Sequence, residues 1–479
     1  MPKTKDILIL GAGPAGMACA MELYKKNIKA TIIEKESQVG GLAKTLKFIE
    51  GKEIFRTDIG PHRFFSKNKY LYDFIEDILQ ENWIKVKRQT RQYIKGKFYD
   101  YPIKPLQAFS NIGLFHASRM IGSYLVAALK YRVLRAKISN FEDYIVANFG
   151  RVLGEFNMIN YTRKIWGRRT DKLHPDWAKQ RIKGLNFTSA LRSFFKKSKD
   201  SPKTLVDYFY YPQYGTGLIY ETIASKIKKS GSEIFTNSVP TKLSHDGKKI
   251  NLVSVDINNK VMKFKPKKIV SSVPITLFLK LLDPAPPKHV IVAAKNLFWR
   301  SQVYIFITLN RKKVTDDQWI YFPEEDIPFG RISEMKNFSK DMSPADKTSL
   351  FVEYFVNESD ETWSKSDEWL FNLTVSHLQK LKFIKKSEVR KYYVLRKKYV
   401  YPVYDVNYKK NLNIIKNYLD KFKNLYYIGR PGRFLYTNQD HSLEMGMLVA
   451  KSIIDGKKYD LESIGAEKEY FEKGRVGKD

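Results

Sequence analysis

Residues 7–45 read ILILGAGPAGMACAMELYKKNIKATIIEKESQVGGLAKT, and their order decides the fold. Gly11, Gly13 and Gly16 follow the short apolar run DILIL and precede MACAMELYKK, a helix-forming stretch rich in Ala, Met and Leu. Strand, glycine turn and helix in that order are the context that gives G-x-G-x-x-G its meaning as a dinucleotide-binding loop. Gly11 permits the tight turn, Gly13 lets the backbone approach a pyrophosphate, and Gly16 allows close helix–strand packing. The helix start brings free N–H groups and the positive end of the dipole to the phosphates. A second strand, KATIIE, ends at Glu34, where an acidic residue accepts ribose hydroxyls.

Composition bounds the rest. The chain has 479 residues, 43% hydrophobic and 14% aromatic, enough for two or three domains with cores of their own. Its one cysteine, Cys19, rules out a disulfide framework and a thiolate metal site, and reads as a buried helix residue in a reducing, cytoplasmic compartment. No metal centre is expected. The N-terminal apolar run carries the glycine pattern and no cleavage site, so no secretory leader is expected. IGLFHASRMIGSYLVAALKY (112–131) approaches a membrane span in length but is interrupted by Arg119 and Lys130. It reads as a buried amphipathic helix, with membrane-surface docking as the alternative. The net charge of +35 favours anionic partners, though the lysines are scattered as a solvated surface would have them. No zinc finger, RNP motif or homeodomain-like helix supports binding to nucleic acid.

The residues after Glu34 choose the cofactor. Gly40 and Gly41 complete E-x-x-x-x-x-G-G, which resembles the extension found in FAD enzymes of the amine oxidase, protoporphyrinogen oxidase and UDP-galactopyranose mutase superfamily. A C-terminal return segment suits NLYYIGRPGRFLYTNQDHSLEMGMLVAKSII (424–454), with LYYIG as a buried strand and SLEMGMLVAKSII as an amphipathic helix. Asp440 and Ser442 are candidate N-caps of that helix. The resemblance implies an FAD-contact set of Gly11, Ala12, Gly13, Pro14, Ala15, Gly16, Glu34, Lys35, Gly41, Leu42, His62, Val239, Gly429, Arg430, Asp440, Gly446 and Met447.

TDIGPHRFFSKN (57–68) presents His62 from a Gly-Pro loop and is similar to the GPHxFHT loop of bacterial UDP-galactopyranose mutases, with Phe65 where the second histidine stands. Further resemblances follow in order: a hairpin at 91–105 with Gly96 at its turn, a Y-x-x-K-x-W-G helix ending at Trp166–Gly167, the stretch 209–227, and YVYPVYD at 399–405. Carried over residue by residue, Trp166 stacks on a uracil or is a core tryptophan. Arg430 pairs with a diphosphate, which a guanidinium fork suits. Tyr401 and Tyr436 donate to the same phosphates or simply pack. His62 and Arg430 are the candidate catalytic residues. Two departures stand out. Asn438, a candidate substrate contact, replaces an aspartate of the mutase family. Arg181, the candidate second diphosphate arginine, does not fall cleanly on the family's position, with Arg192 as another candidate.

The expected fold is α/β: a Rossmann-type FAD-binding domain discontinuous in sequence, with a helical insertion and an antiparallel-sheet substrate domain. Its expected parts are 1–85, 216–285 and 416–479 for the FAD domain, 86–215 for a mainly helical cap, and 286–415 for the substrate sheet. The resemblance implies interconversion of UDP-galactopyranose and UDP-galactofuranose, or of a related nucleotide sugar, by attack of reduced-flavin N5 on the anomeric carbon. An external reductant such as NAD(P)H would prime the flavin. The rival readings are an FAD oxidoreductase of the amine oxidase, protoporphyrinogen oxidase or desaturase type, and an FAD-stabilised scaffold without turnover. Oligomeric state is not legible.

Overall fold

Strand β1 (Lys3–Leu10) is buried along its C-terminal half, Ile7 to Leu10, as a central strand covered on both faces must be. A computed structural model describes residues 2–64, 66, 68–101, 114–182, 208–462 and 464 of the chain. In it β1 pairs in parallel with β2 (Thr31–Ile33) on one side and with the strand Lys260–Ser271 on the other. Glu233–Phe235 extends the sheet beyond β2. The long strand Lys260–Ser271 joins two structures. Its first half pairs antiparallel with Ile250–Ile257, and its last three residues pair in parallel with Leu425–Tyr427. Strands from three distant parts of the sequence thus share one sheet, the discontinuous Rossmann arrangement.

Helix α1 (Pro14–Tyr24) lies on this sheet and buries nearly every residue, Cys19 included, whose thiol is pushed up by burial. The helix Gln439–Ile454 packs directly on α1. A Cβ at Gly446 would stand 2.1 Å from the Ala15 carbonyl oxygen, so glycine is what permits the approach.

A second, seven-stranded sheet runs in the order Val389–Val403, Phe298–Leu309, Thr348–Val356, Arg331–Ser333, Trp319–Tyr321, Thr90–Ile94, Lys97–Asp100. All its pairings are antiparallel except that of Trp319–Tyr321 with Thr90–Ile94. The hairpin at Lys95–Gly96 therefore belongs to this sheet rather than to the helical part: β-ladder hydrogen bonds across Trp319↔Thr90 override its position in the sequence. Helices Leu114–Ala128, Phe141–Phe149, Asn160–Trp166 and Pro175–Ile182 form the helical part. Among the described residues, no helix is long and apolar enough to cross a membrane.

Candidate functional site

A cavity of about 1110 Å³ runs from the glycine loop to the seven-stranded sheet. Single small-ligand pockets span roughly 300–1,000 Å³, so this one has room for a dinucleotide and part of a second ligand. At one end the wall is backbone. Gly11, at φ +102, turns the chain out of β1, and Pro14 opens α1. Gly13 and Gly41 face each other: a Cβ on Gly41 would come within 3.1 Å of the Gly13 Cα, and it would be strained in any case at φ +57. Side chains here would fill the cradle. Glu34, at the end of β2, accepts the Ala12 N–H at 2.8 Å on one oxygen and the Glu36 N–H at 2.9 Å on the other. This donor set fits a flavin dinucleotide, with phosphates at the helix start and ribose at Glu34. Beyond it, burial raises the Glu36 carboxyl but Lys44 and Lys397 outweigh burial and hold it at about 2.

The loop bearing His62 lies between the two ends. Its Nε2 is 3.0 Å from the carbonyl oxygens of both Leu42 and Ile59, so Nε2 carries the proton and donates to them. Burial, followed by the positive charge of Arg430, lowers the imidazole to about 4, and Arg331 adds to this. His62 is thus a neutral clasp between the second glycine pair and the loop. Asp58 anchors the loop from behind. It accepts from Thr45 Oγ1 and Tyr211 Oη at 2.6 Å each and from Thr216 Oγ1 at 2.7 Å, while Thr216 Oγ1 also reaches the His62 carbonyl at 3.2 Å. Burial raises its carboxyl to about 6 against those hydrogen bonds.

At the other end the wall is side chain. Arg430 donates through Nε and Nη2 to the Thr437 carbonyl and through Nη1 to Val400 O at 3.3 Å, closing its own loop. Its guanidinium lies 4.8 Å from the Tyr401 ring centre and 5.2 Å from that of Tyr436, two rings stacked at 5.5 Å. Arg331, half-buried at the cavity wall, makes a bidentate pair with Glu353 at 2.5 and 2.7 Å, and the Glu353 charge holds its own firmly in place. Burial raises the Tyr401 phenol, Tyr436 adds to the rise, and Arg331 and Arg430 oppose it, so Tyr401 keeps its O–H.

Of the residues expected from the sequence, Gly11, Gly13, Pro14, Ala15, Glu34, Lys35, Gly41, Leu42, His62, Val239, Gly429, Arg430, Tyr401, Tyr436, Asn438 and Asp440 line the cavity. Ala12, Gly16, Gly446 and Met447 lie behind it. Gly16 packs on the Gly11 carbonyl, where a Cβ would stand 2.1 Å away, and Met447 sits in the apolar core. Trp166 is corrected to its core alternative. It is 3% exposed and edge-packed on Trp177 at 4.5 Å, behind Tyr401 and Tyr436. The cap of the last helix is Asn438, in a reciprocal box with His441; Asp440 and Ser442 fall inside its first turn. Arg192 and the Arg181 side chain lie outside the described residues, as does Phe65. Arg331, missed in the sequence, supplies the guanidinium beside Arg430. Its only signal is its register opposite Glu353 across two strands, which no local pattern reveals.

The profile of a family described as flavin containing amine oxidoreductase matches residues 14–429. The L-amino acid oxidase Cdc18 of Crotalus durissus cumanensis is 22% identical over 361 residues, 68% of this chain and 67% of that one. The soluble pyridine nucleotide transhydrogenase of a Vibrio parahaemolyticus strain is 30% identical over 132 residues, 26% of each chain. In fold, the chain is similar to a reduced UDP-galactopyranose mutase, with a TM-score of 0.81 at 21% identity over 98% of this chain and 96% of that one. It is also similar to a putative protoporphyrinogen oxidase from Exiguobacterium sp. 255-15, with a TM-score of 0.71 at 16% identity over 95% and 100%.

Proposed function

This chain belongs to the family of flavin-containing amine oxidoreductases, and from that premise we propose that it is an FAD-dependent nucleotide-sugar mutase, interconverting UDP-galactopyranose and UDP-galactofuranose or a related pair. One observation carries the reading. Two guanidiniums, Arg430 and Arg331, and two phenols, Tyr401 and Tyr436, gather on one wall of the cavity that the glycine cradle opens into. That wall suits an anionic diphosphate and not an apolar tunnel.

The backbone at Gly11, Gly13 and Gly41 and the start of α1 would hold the FAD phosphates, and Glu34 would hold the ribose hydroxyls. Reduced FAD, primed by a reductant such as NAD(P)H, supplies a nucleophile for the anomeric carbon. Arg430 and Arg331 face the charge that grows on the diphosphate as its bond to the sugar weakens, where fixed cations in a sheltered site act most strongly. Tyr401 and Tyr436 would donate hydrogen bonds from their phenolic O–H groups to the phosphate oxygens, Tyr401 keeping its proton. His62 is kept neutral by burial and by Arg430, with its Nε2–H held by two carbonyls; it fixes the loop against Leu42.

Purified protein incubated with each nucleotide sugar, with flavin oxidised and then dithionite-reduced, tests the reading by chromatography. Interconversion only after reduction is expected; none in either state overturns it. The names of the snake relatives favour one second reading, an L-amino acid oxidase in which an arginine takes the substrate carboxylate. Peroxide formed from an L-amino acid and oxygen is its signature.

A further inference from the structure

The helix Leu114–Ala128 is apolar on two opposite sides. One stripe, Ala117, Met120, Tyr124 and Ala127, is buried. The helix packs on Phe141–Phe149, and Gly150 lets the chain approach so closely that a Cβ there would lie 2.7 Å from the Tyr124 amide nitrogen. The helix is therefore held rigidly by its inner face. The sequence expectation of a buried helix describes that stripe only.

The other stripe points to solvent. Phe115 is 71% exposed, Leu125 61%, Val126 70% and Leu129 54%, with Ile121 at 40% between them; at 100° per residue they fall on one side, opposite the buried stripe. The chain continues with Val133 and Leu134 exposed as well. Contiguous exposed apolar surface of this kind marks an interaction site.

Charge decides what covers it. From Leu114 to Phe141 there is no Asp or Glu, and the basic residues are Arg119, Lys130, Arg132, Arg135 and Lys137. All five are exposed, and among the described residues none forms an ion pair with a carboxylate. The charged groups of Arg119, Lys130 and Arg132 sit over the rings of Phe115, Tyr131 and Tyr124, keeping each charge beside apolar surface. A second copy meeting this face across a two-fold axis would set five cations against five, and the one carboxylate seen to touch the segment among the described residues, Asp143, is already taken up by Tyr131 Oη and the Ser139 N–H. An anionic bilayer offers acyl chains to the stripe and headgroup charge to its border, the two attractions that together hold an interfacial helix.

We propose that this face is a docking surface for anionic lipid, with the helix lying along the membrane plane. It does not cross: its inner stripe is packed on protein and Arg119 interrupts it. The proposal is independent of the reaction assigned above.

The test is flotation of the full chain with phosphatidylcholine vesicles containing about 30 mol% phosphatidylglycerol, the charge on which the argument turns, and with phosphatidylcholine alone. Wild-type protein is expected to float with the anionic vesicles and not with the neutral ones, and to be released by salt. A Leu125→Glu/Val126→Glu variant removes the exposed stripe, and Arg132→Ser/Arg135→Ser removes two border charges. Each is expected to weaken binding at least about tenfold while the circular-dichroism melt stays unchanged. No flotation of the wild type, equal flotation on neutral vesicles, or full flotation of either variant overturns the proposal. So does a vesicle-free dimer that Leu125→Glu/Val126→Glu converts to monomer, which would give the face to a second copy.

Discussion

The two ends of the cavity are built from different material. Around Gly11, Gly13 and Gly41 the wall is main chain, brought together by residues within about thirty positions of one another, and its rule is absence: a Cβ at Gly11 or Gly41 would be both crowded and strained. Around Arg430 and Arg331 the wall is side chain, drawn from two strands, a loop and a helix start that meet only because of sheet register. The first end has little room for an added atom at Gly11 or Gly41. The second has each guanidinium already bound to a protein acceptor, Thr437 O for one and Glu353 for the other, so its geometry exists before any ligand arrives. Preorganisation is thus achieved by sterics at one end and by electrostatics at the other.

The largest effect belongs to the steric end. Gly16→Val would drive a side chain into the Gly11 carbonyl, 2.1 Å from where its Cβ must stand, and into Ile9. A loss of at least about 3 kcal/mol is expected, with flavin lost from the purified protein. Flavin absorbance and urea unfolding measure both, and a yellow, stable variant would break the contrast. At the electrostatic end, Glu353→Ala leaves the half-buried Arg331 guanidinium without its carboxylate, which costs about 3 kcal/mol. Replacing both partners by apolar residues of similar volume is expected to recover most of that stability. It is not expected to recover affinity for the nucleotide sugar. That split, read by unfolding and by binding titration, distinguishes a guanidinium kept for ligand from one kept for the fold.

Arg430→Ala sits third in size. Nucleotide-sugar affinity is expected to fall by about 1.5–3 kcal/mol, the scale of hydrogen bonds to charged groups, with flavin retained. Unchanged affinity in a titration removes Arg430 from the substrate wall.

The same contrast explains what was legible. Gly11, Gly41 and Glu34 could be read because a backbone site is local: strand, turn, helix and strand follow in order, and spacing alone carries the geometry. Gly446 and Met447 share a helix with residues at the cavity wall, yet face α1 and the core, because helical rotation decides which side meets the ligand. Trp166 had the motif spacing of a cleft residue, but Trp177 from the next helix covers it. Arg331 was invisible, since its meaning lies in a ladder partner twenty-two residues away. The helix Leu114–Ala128 reads as amphipathic, but apolar residues on two opposite sides leave open in the sequence which stripe packs inward.

Per pH unit, the smallest effect lies between the two ends, where Asp58 and His62 titrate in opposite senses. Asp58 is raised from the ordinary 3.8 to about 6, so between those pH values the folded chain binds the extra proton. Its contribution is greatest at low pH and falls as pH rises through that window. His62 is lowered from 6.5 to about 4, so over that range it is the unfolded chain that binds more protons, and its contribution increases with pH. Each slope is about 1.4 kcal/mol per pH unit, with opposite sign. The sum should leave wild-type stability nearly flat between pH 4 and pH 6 as far as this loop is concerned. His62→Gln is expected to uncover the falling term, on the order of 2–3 kcal/mol across the window, and Asp58→Asn the rising one. Urea midpoints across that window report both slopes, and they do so even if either substitution lowers stability overall. Parallel pH profiles in the two variants would mean that the loop between the ends is not electrostatically balanced, and that the clasp at His62 is held by its carbonyl contacts alone.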